Sequence, residues 1–224
     1  MSWGGEPERK AVEPSYTYSY SVSPYGPAAP RRQGFFGRTE LKHIAIAVAV
    51  LTAAFTMIMW DGSSDTLLWS LAVAAPTVVL GFFLHEMAHK YMARNYGCWA
   101  EFRAYPMGLF LALAMSFFGF LFAAPGAVYI AGNITREQNG RISLAGPATN
   151  LVIAIACLPF ALSGAFPSMV GDMAFSLFFF NSFLAVFNLV PVAPLDGSKV
   201  WAWNKPVYVA AMALAASLLV LAWL

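Results

Sequence analysis

Apolar residues run in long blocks along this chain, at about 41–60, 67–93, 143–163, 173–192 and 206–224. About 20 residues at 1.5 Å rise cross a hydrocarbon core of about 30 Å, so each block predicts a membrane-spanning helix. A sixth block, 107–124, is borderline in length, carries Gly119 near its middle and runs into Pro125-Gly126, signals of bending rather than of one straight helix. Residues 1–38 have no apolar core of the kind a secretory signal needs and are rich in Pro, Gly, Ser and Tyr. That composition predicts a disordered tail ahead of a core covering 39–224.

The polar positions between the blocks set the expected topology, because positive residues collect in cytoplasmic loops at the ends of spans. The thirteen Lys and Arg fall in the tail and first flank (Arg9, Lys10, Arg31, Arg32, Arg38, Lys42), after the second block (Lys90, Arg94, Arg103), in a loop at 133–142 (Arg136, Arg141), and before the last block (Lys199, Lys205). The loops at 61–66 and 164–172 hold only the acids Asp61, Asp65 and Asp172. If 107–124 crossed the bilayer, Arg136, Arg141, Lys199 and Lys205 would land outside. If it dips in and returns, every Lys and Arg shares one face. The expectation is therefore five crossings, with a cytoplasmic N-terminus and the C-terminus outside, in a multi-pass protein of the cell membrane. The fold class is an all-α polytopic membrane protein of five to six spanning helices with a membrane-dipping segment.

Composition agrees, with 59% hydrophobic and 11% charged residues against about 25% charged in soluble domains. A net charge of +2 leaves no electrostatic footprint for nucleic acid. Cys157 lies in an apolar block and reads as packing, while Cys98, just past a helix end, is a free thiol open to lipidation.

Against this background the stretch "GFFLHEMAHKYMARNYG", 81–97, places His85, Glu86 and His89 inside an apolar helix. Ionisable groups there cost about 2.5–3.5 kcal/mol each and are functional by default. Two histidines four apart lie on one helical face and can ligate one ion, with Glu86 beside it as a general base. Two of the chain's three histidines stand in this pattern. The pattern suits zinc, which takes two neutral imidazoles, a third protein ligand and an open position for water. Apolar sequence from Leu67 to His89 covers about 35 Å at 1.5 Å per residue, so His85 falls about one to two turns inside the cytoplasmic boundary marked by Lys90 and Arg94. Gly97 is the expected end of this helix.

The continuation Lys90-Tyr91-Met92-Ala93-Arg94 has neither the glycine nor the third histidine of a metzincin site. The third ligand then comes from His43, Glu40, Glu101, Glu137 or Asp196. Glu101 and Glu137 sit among Arg-containing loops and read as solvated charges, and Asp172 is on the wrong face. Asp196 stands out because Pro191 and Pro194 must unwind the end of the preceding helix beside it, at the same membrane end as His85.

Taken together, these residues resemble the site-2 protease family of intramembrane zinc metalloproteases. His85-Glu86-Met87-Ala88-His89 matches the HExxH motif of that family, Asn188 to Gly197 ("NLVPVAPLDG") matches NxxPxxxxDG, and "AGPATN", 145–150, looks like the stretch opening another core helix. The resemblance implies helices at 67–95 (HExxH), 143–163 (GPxxN), 173–200 (NxxPxxxxDG) and 206–224, with one zinc ion per chain held by His85, His89 and Asp196 and with Glu86 as catalytic base. Asn188 and, less directly, Asn150 are expected to orient or polarise the substrate carbonyl. The implied reaction is hydrolysis of peptide bonds in or near membrane-spanning segments of substrate proteins. Between Gly97 and Arg141 there is no room for the PDZ domain of some relatives. "WAEFRAYP" (99–106) and "GAVYIAGNI" (126–134) could form short strands whose edge pairs with an unwound substrate. Two rival readings are a zinc transporter or channel, since intramembrane His and Asp also mark ion pathways, and a membrane zinc protease cutting soluble tails with Glu101 or Glu137 as ligand.

Overall fold

A computed structural model describes residues 34–120, 125–163 and 168–223. The expected tail therefore lies outside the described residues, up to position 33. The elements are α1 (Arg38–Met59), α2 (Ser64–Val78), a π-helical turn (Val79–Phe83), α3 (Leu84–Asn95), β1 (Trp99–Ala104), α4 (Pro106–Ser116), β2 (Gly126–Ala131), α5 (Arg136–Leu162), α6 (Ser168–Leu189), α7 (Asp196–Trp203) and α8 (Lys205–Leu221). The protein is an all-α membrane protein with one small sheet. Among the described residues four helices are long and apolar enough to cross a membrane: α1, the continuous 32-residue rod Ser64–Asn95, α5, and α6 over Met169–Leu189. The fifth expected span, α8, has 17 residues.

Local chemistry explains the element ends. The Ser63 hydroxyl caps α2 by accepting from the Thr66 N–H at 3.2 Å. The rod ends where Gly97, the residue expected to end it, takes φ +77°, a left-handed conformation that favours glycine. Its interior widens at the π turn, one turn before His85, a distortion that frees a backbone carbonyl from the helical ladder.

The structure corrects two sequence expectations about helix limits. The loop expected at 133–142 is helical from Arg136, because Thr135 and Gln138 form a reciprocal cap (2.9 and 3.1 Å) and Glu137 pairs with Arg141 one turn on at 2.6 Å. The expected helix 173–200 is broken: α6 stops at Leu189, and a separate short helix, α7, starts at Asp196. Pro191 and Pro194 carry no N–H for a helical ladder, so the chain must turn between them. Within the apolar block 107–124, expected to bend, the described residues form an 11-residue helix, α4.

That short helix leaves from and returns to one place. β1 and β2 pair antiparallel with Ala104 opposite Gly126, and the Tyr105 N–H donates to the Pro125 carbonyl at 2.9 Å. The two ends of the segment between them, Tyr105 and Pro125, therefore touch. Cys98, considered for lipidation, is buried against Gly132, and burial pushes its thiol pKa up.

Candidate active site

Three elements bring the site together: α3 carries His85, Glu86 and His89, α5 packs across them, and α7 delivers Asp196. The two imidazole Nε2 atoms lie 3.0 Å apart, and Asp196 Oδ2 lies 3.5 Å from His85 Nε2 and 3.1 Å from His89 Nε2. Among the described residues this is the one group of three His, Cys, Asp or Glu side chains that could hold a metal.

The donor set fits zinc. His89 Nδ1 lies 2.7 Å from the Ile142 carbonyl and His85 Nδ1 lies 2.5 Å from Asn150 Oδ1. Each oxygen demands a donor, so the proton of each neutral ring sits on Nδ1 and each Nε2 is left with a lone pair. Two lone pairs and a carboxylate facing one another at these distances call for a shared cation. Bonds of about 2.0–2.2 Å in a tetrahedral shell separate ligand atoms by about 3.4 Å, close to the spacings found.

Gly146, on α5, leaves the space for it. A Cβ built there would stand 2.3 Å from His89 Nε2 and 2.6 Å from His85 Nε2, close to where an ion bound by both would sit. Gly146→Ala is therefore expected to lower zinc per chain well below that of the wild type while leaving helical circular dichroism intact, since Ala favours a helix by about 1 kcal/mol over Gly. Full zinc occupancy in this variant would refute that placement.

Gly197 serves α7 in the same way. A Cβ there would meet the Leu189 carbonyl oxygen at 2.0 Å. Its absence lets the first turn of α7 sit on the broken end of α6, which is what carries Asp196 back to the two histidines.

The other sequence candidates for third ligand are engaged elsewhere. Glu40 pairs with Lys90, and the His43 ring nitrogen accepts from the Ala104 N–H at 3.1 Å. Glu137 pairs with Arg141 in the open, as a solvated charge should. Glu101 corrects its reading as solvated: it is buried on β1 and paired with Arg103 at 2.9 Å, so it is not available to a metal. Lys90 likewise is no interfacial marker, being 1% exposed.

Asn150 is corrected in role. Its amide nitrogen donates to the Gly81 carbonyl at 2.9 Å and to Asn181 Oδ1 at 2.8 Å, while its oxygen receives His85. With every strong position taken, it holds the His85 ring and does not face a substrate. The Gly81 carbonyl that it meets lies within the π turn. Asn181, fully buried on α6 and donating onward to the Leu177 carbonyl at 2.8 Å, is a member of this chain of bonds that sequence reasoning missed. Its only signal was an amide inside an apolar block.

Asn188 is half-buried and lines the central cavity, with one amide hydrogen on the Leu184 carbonyl at 3.0 Å. That cavity, of about 1120 Å³, is walled by His85, Glu86, His89 and Asp196 together with β2 and the aromatic face of α6. The Glu86 carboxylate faces the backbone of Val128 on β2.

Known proteins resemble the chain over most of its length. A protein of Methanocaldococcus jannaschii provisionally named a zinc metalloprotease is 38% identical over 174 residues, covering 75% of this chain and 86% of that protein. The zinc metalloprotease Rip2 of Mycolicibacterium smegmatis, also a provisional name, is 32% identical over 178 residues, 69% of this chain and 67% of the relative. Rip3 of Mycobacterium tuberculosis, named in the same way, is 31% identical over 144 residues, 61% of this chain but 33% of that longer protein. No protein-family model and no solved structure matches the chain.

Proposed function

Since the chain belongs to the site-2 protease family of zinc metalloproteases, we propose that it hydrolyses peptide bonds in or beside the membrane-spanning segments of other proteins, with His85, His89 and Asp196 as zinc ligands and Glu86 as general base. The observation that carries this reading is the convergence of those four side chains on one cavity within a bundle of apolar helices. A transporter would need successive sites along a path, and the described residues hold one cluster.

Bound zinc supplies Lewis acidity toward a water and a peptide carbonyl. The chain's own residues do the rest. The Asn150 oxygen and the Ile142 carbonyl fix both imidazoles in the tautomer that presents Nε2. Glu86 takes a proton from the attacking water and returns it to the leaving amine. Asn188 has a second amide hydrogen to offer the substrate carbonyl oxygen from the cavity wall. The wall formed by Phe180, Phe183, Leu184 and Phe187 suits an apolar span, and β2 offers it an edge once unwound.

We read five crossings with a cytoplasmic N-terminus. The contact between the two ends of the 105–125 segment supports this, since a segment that returns leaves the loops carrying Lys and Arg at one end of the bundle. The catalytic groups then lie in the cytoplasmic half of the bilayer.

Purified protein incubated with a panel of single-span substrates is expected to cut within or beside the span, to stop when a chelator strips the metal, and to resume when zinc is restored. Cleavage confined to soluble tails, with every span left whole, would overturn the intramembrane reading.

A further inference from the structure

The cavity contains four charged side chains: Glu86, Asp196, Arg136 and Lys199. The first two are carboxylates assigned to a divalent ion and its water. A charge of +2 against two carboxylates balances, which leaves Arg136 and Lys199 as uncompensated cations of the loaded site. Their neighbours do not neutralise them. Arg103 and Arg141 each have a carboxylate within 2.9 Å, whereas Arg136, exposed at the start of α5, has none among the described residues. Lys199 reaches only Asp196 Oδ1, at 3.8 Å, on the carboxylate whose other oxygen faces the histidines.

The two cations come from different elements, α5 and α7, and both line the cavity. Asn139 and Ser198 line the wall beside them. Much of the remaining lining is apolar, including Leu51, Phe82, Phe180 and Phe183. A spanning segment in the cavity thus meets a largely apolar lining and two positive charges.

We propose that Arg136 and Lys199 form a cationic rim that selects substrates bearing an aspartate or glutamate at the cytoplasmic flank of the span, close to the scissile bond. This rests on the protease reading and names the substrate class of that same site. Spanning proteins ordinarily carry Lys or Arg at this flank, so the rim disfavours the common case and admits a minority. An anionic lipid headgroup is the competing occupant. The rim favours substrate because both cations line the same cavity as the catalytic groups.

The test compares three single-span substrates differing only in one flanking residue, Glu, Gln or Lys, with the full chain in neutral phosphatidylcholine vesicles. kcat/KM is expected to fall from Glu to Gln to Lys, by about two- to fivefold per step, the size of exposed ion pairs. Added salt should compress the series. Arg136→Glu, which leaves the rim with no net charge, should flatten the order, and Lys199→Gln, which leaves one cation, should weaken it, with zinc content unchanged in both.

Equilibrium binding of the same three peptides to the Glu86→Gln protein, with and without Arg136→Glu, reads the rim without turnover. It should give the same order and the same flattening. An unchanged order in the Arg136→Glu protein, or a dependence on added phosphatidylglycerol and not on peptide charge, would overturn the proposal. Cleavage of the Gln substrate with no charge preference would sink the rim alone. Charge-ordered binding with no cleavage of any substrate would instead sink the protease reading.

Discussion

Glutamine in place of Glu86 is expected to slow cleavage of a single-span substrate by about 10²- to 10⁴-fold while zinc stays bound, the range assigned to a positioned general base. Glutamine keeps the shape and one acceptor oxygen of the side chain but cannot take a proton. Glu86 is not one of the three converging ligands; it follows His85 by one residue, so its side chain leaves the helix beside the metal face and opens on the cavity. Metal content and initial rate should therefore separate in this variant. Asp196→Ala should behave in the opposite manner, losing zinc along with activity, because two imidazoles remain with no carboxylate to complete the set. Equal rates for wild type and Glu86→Gln would end the assignment of the base. Lost zinc in Glu86→Gln would make Glu86 a ligand instead.

The half of the site on α3 was legible because its information is local. His85 and His89 meet by helical spacing alone, and a helix was forced by the apolar run around them. Asp196 was legible by motif and by the prolines that break α6, though its contact with the histidines also needs Gly197 to let α7 sit on the Leu189 carbonyl. A sequence gives the glycine without saying what it must clear. Asn181 and the Ile142 carbonyl stayed invisible for a related reason: one is a lone amide in an apolar block and the other is backbone. Each is brought to its partner only by the packing of α3, α5 and α6. The start of α5 was misread because the sequence reading took Arg136 and Arg141 as loop charges, overlooking that Thr135 and Gln138 form a cap.

The pairing of Glu40 with Lys90 joins residues 50 positions apart, and no local pattern announces it. It also carries the second large expectation. Both side chains are 1% exposed, and the Glu40 carboxylate further accepts the Phe102 N–H of β1 at 2.9 Å and the Gly37 N–H at 3.2 Å. The rings of Phe35 and Phe36 cover the ammonium at 5.0 and 5.1 Å. One carboxylate thus ties α1 to the metal helix, one residue past His89, and to the strand beside β2.

Removing only the cation, in Lys90→Met, strands that carboxylate in a dry interior and is expected to cost about 3–5 kcal/mol. Glu40→Met should cost a similar amount by stranding the ammonium. The double variant should recover most of this loss, because an apolar pair can replace a buried ion pair with little penalty. Recovery should still fall short by about 1–3 kcal/mol, since the buried Phe102 N–H loses its acceptor in both proteins that lack Glu40. Thermal unfolding of the detergent-solubilised protein, followed by tryptophan fluorescence across this double-mutant cycle, gives the coupling directly. Single variants as stable as the wild type would show that the pair is not what holds α1, α3 and β1 in register.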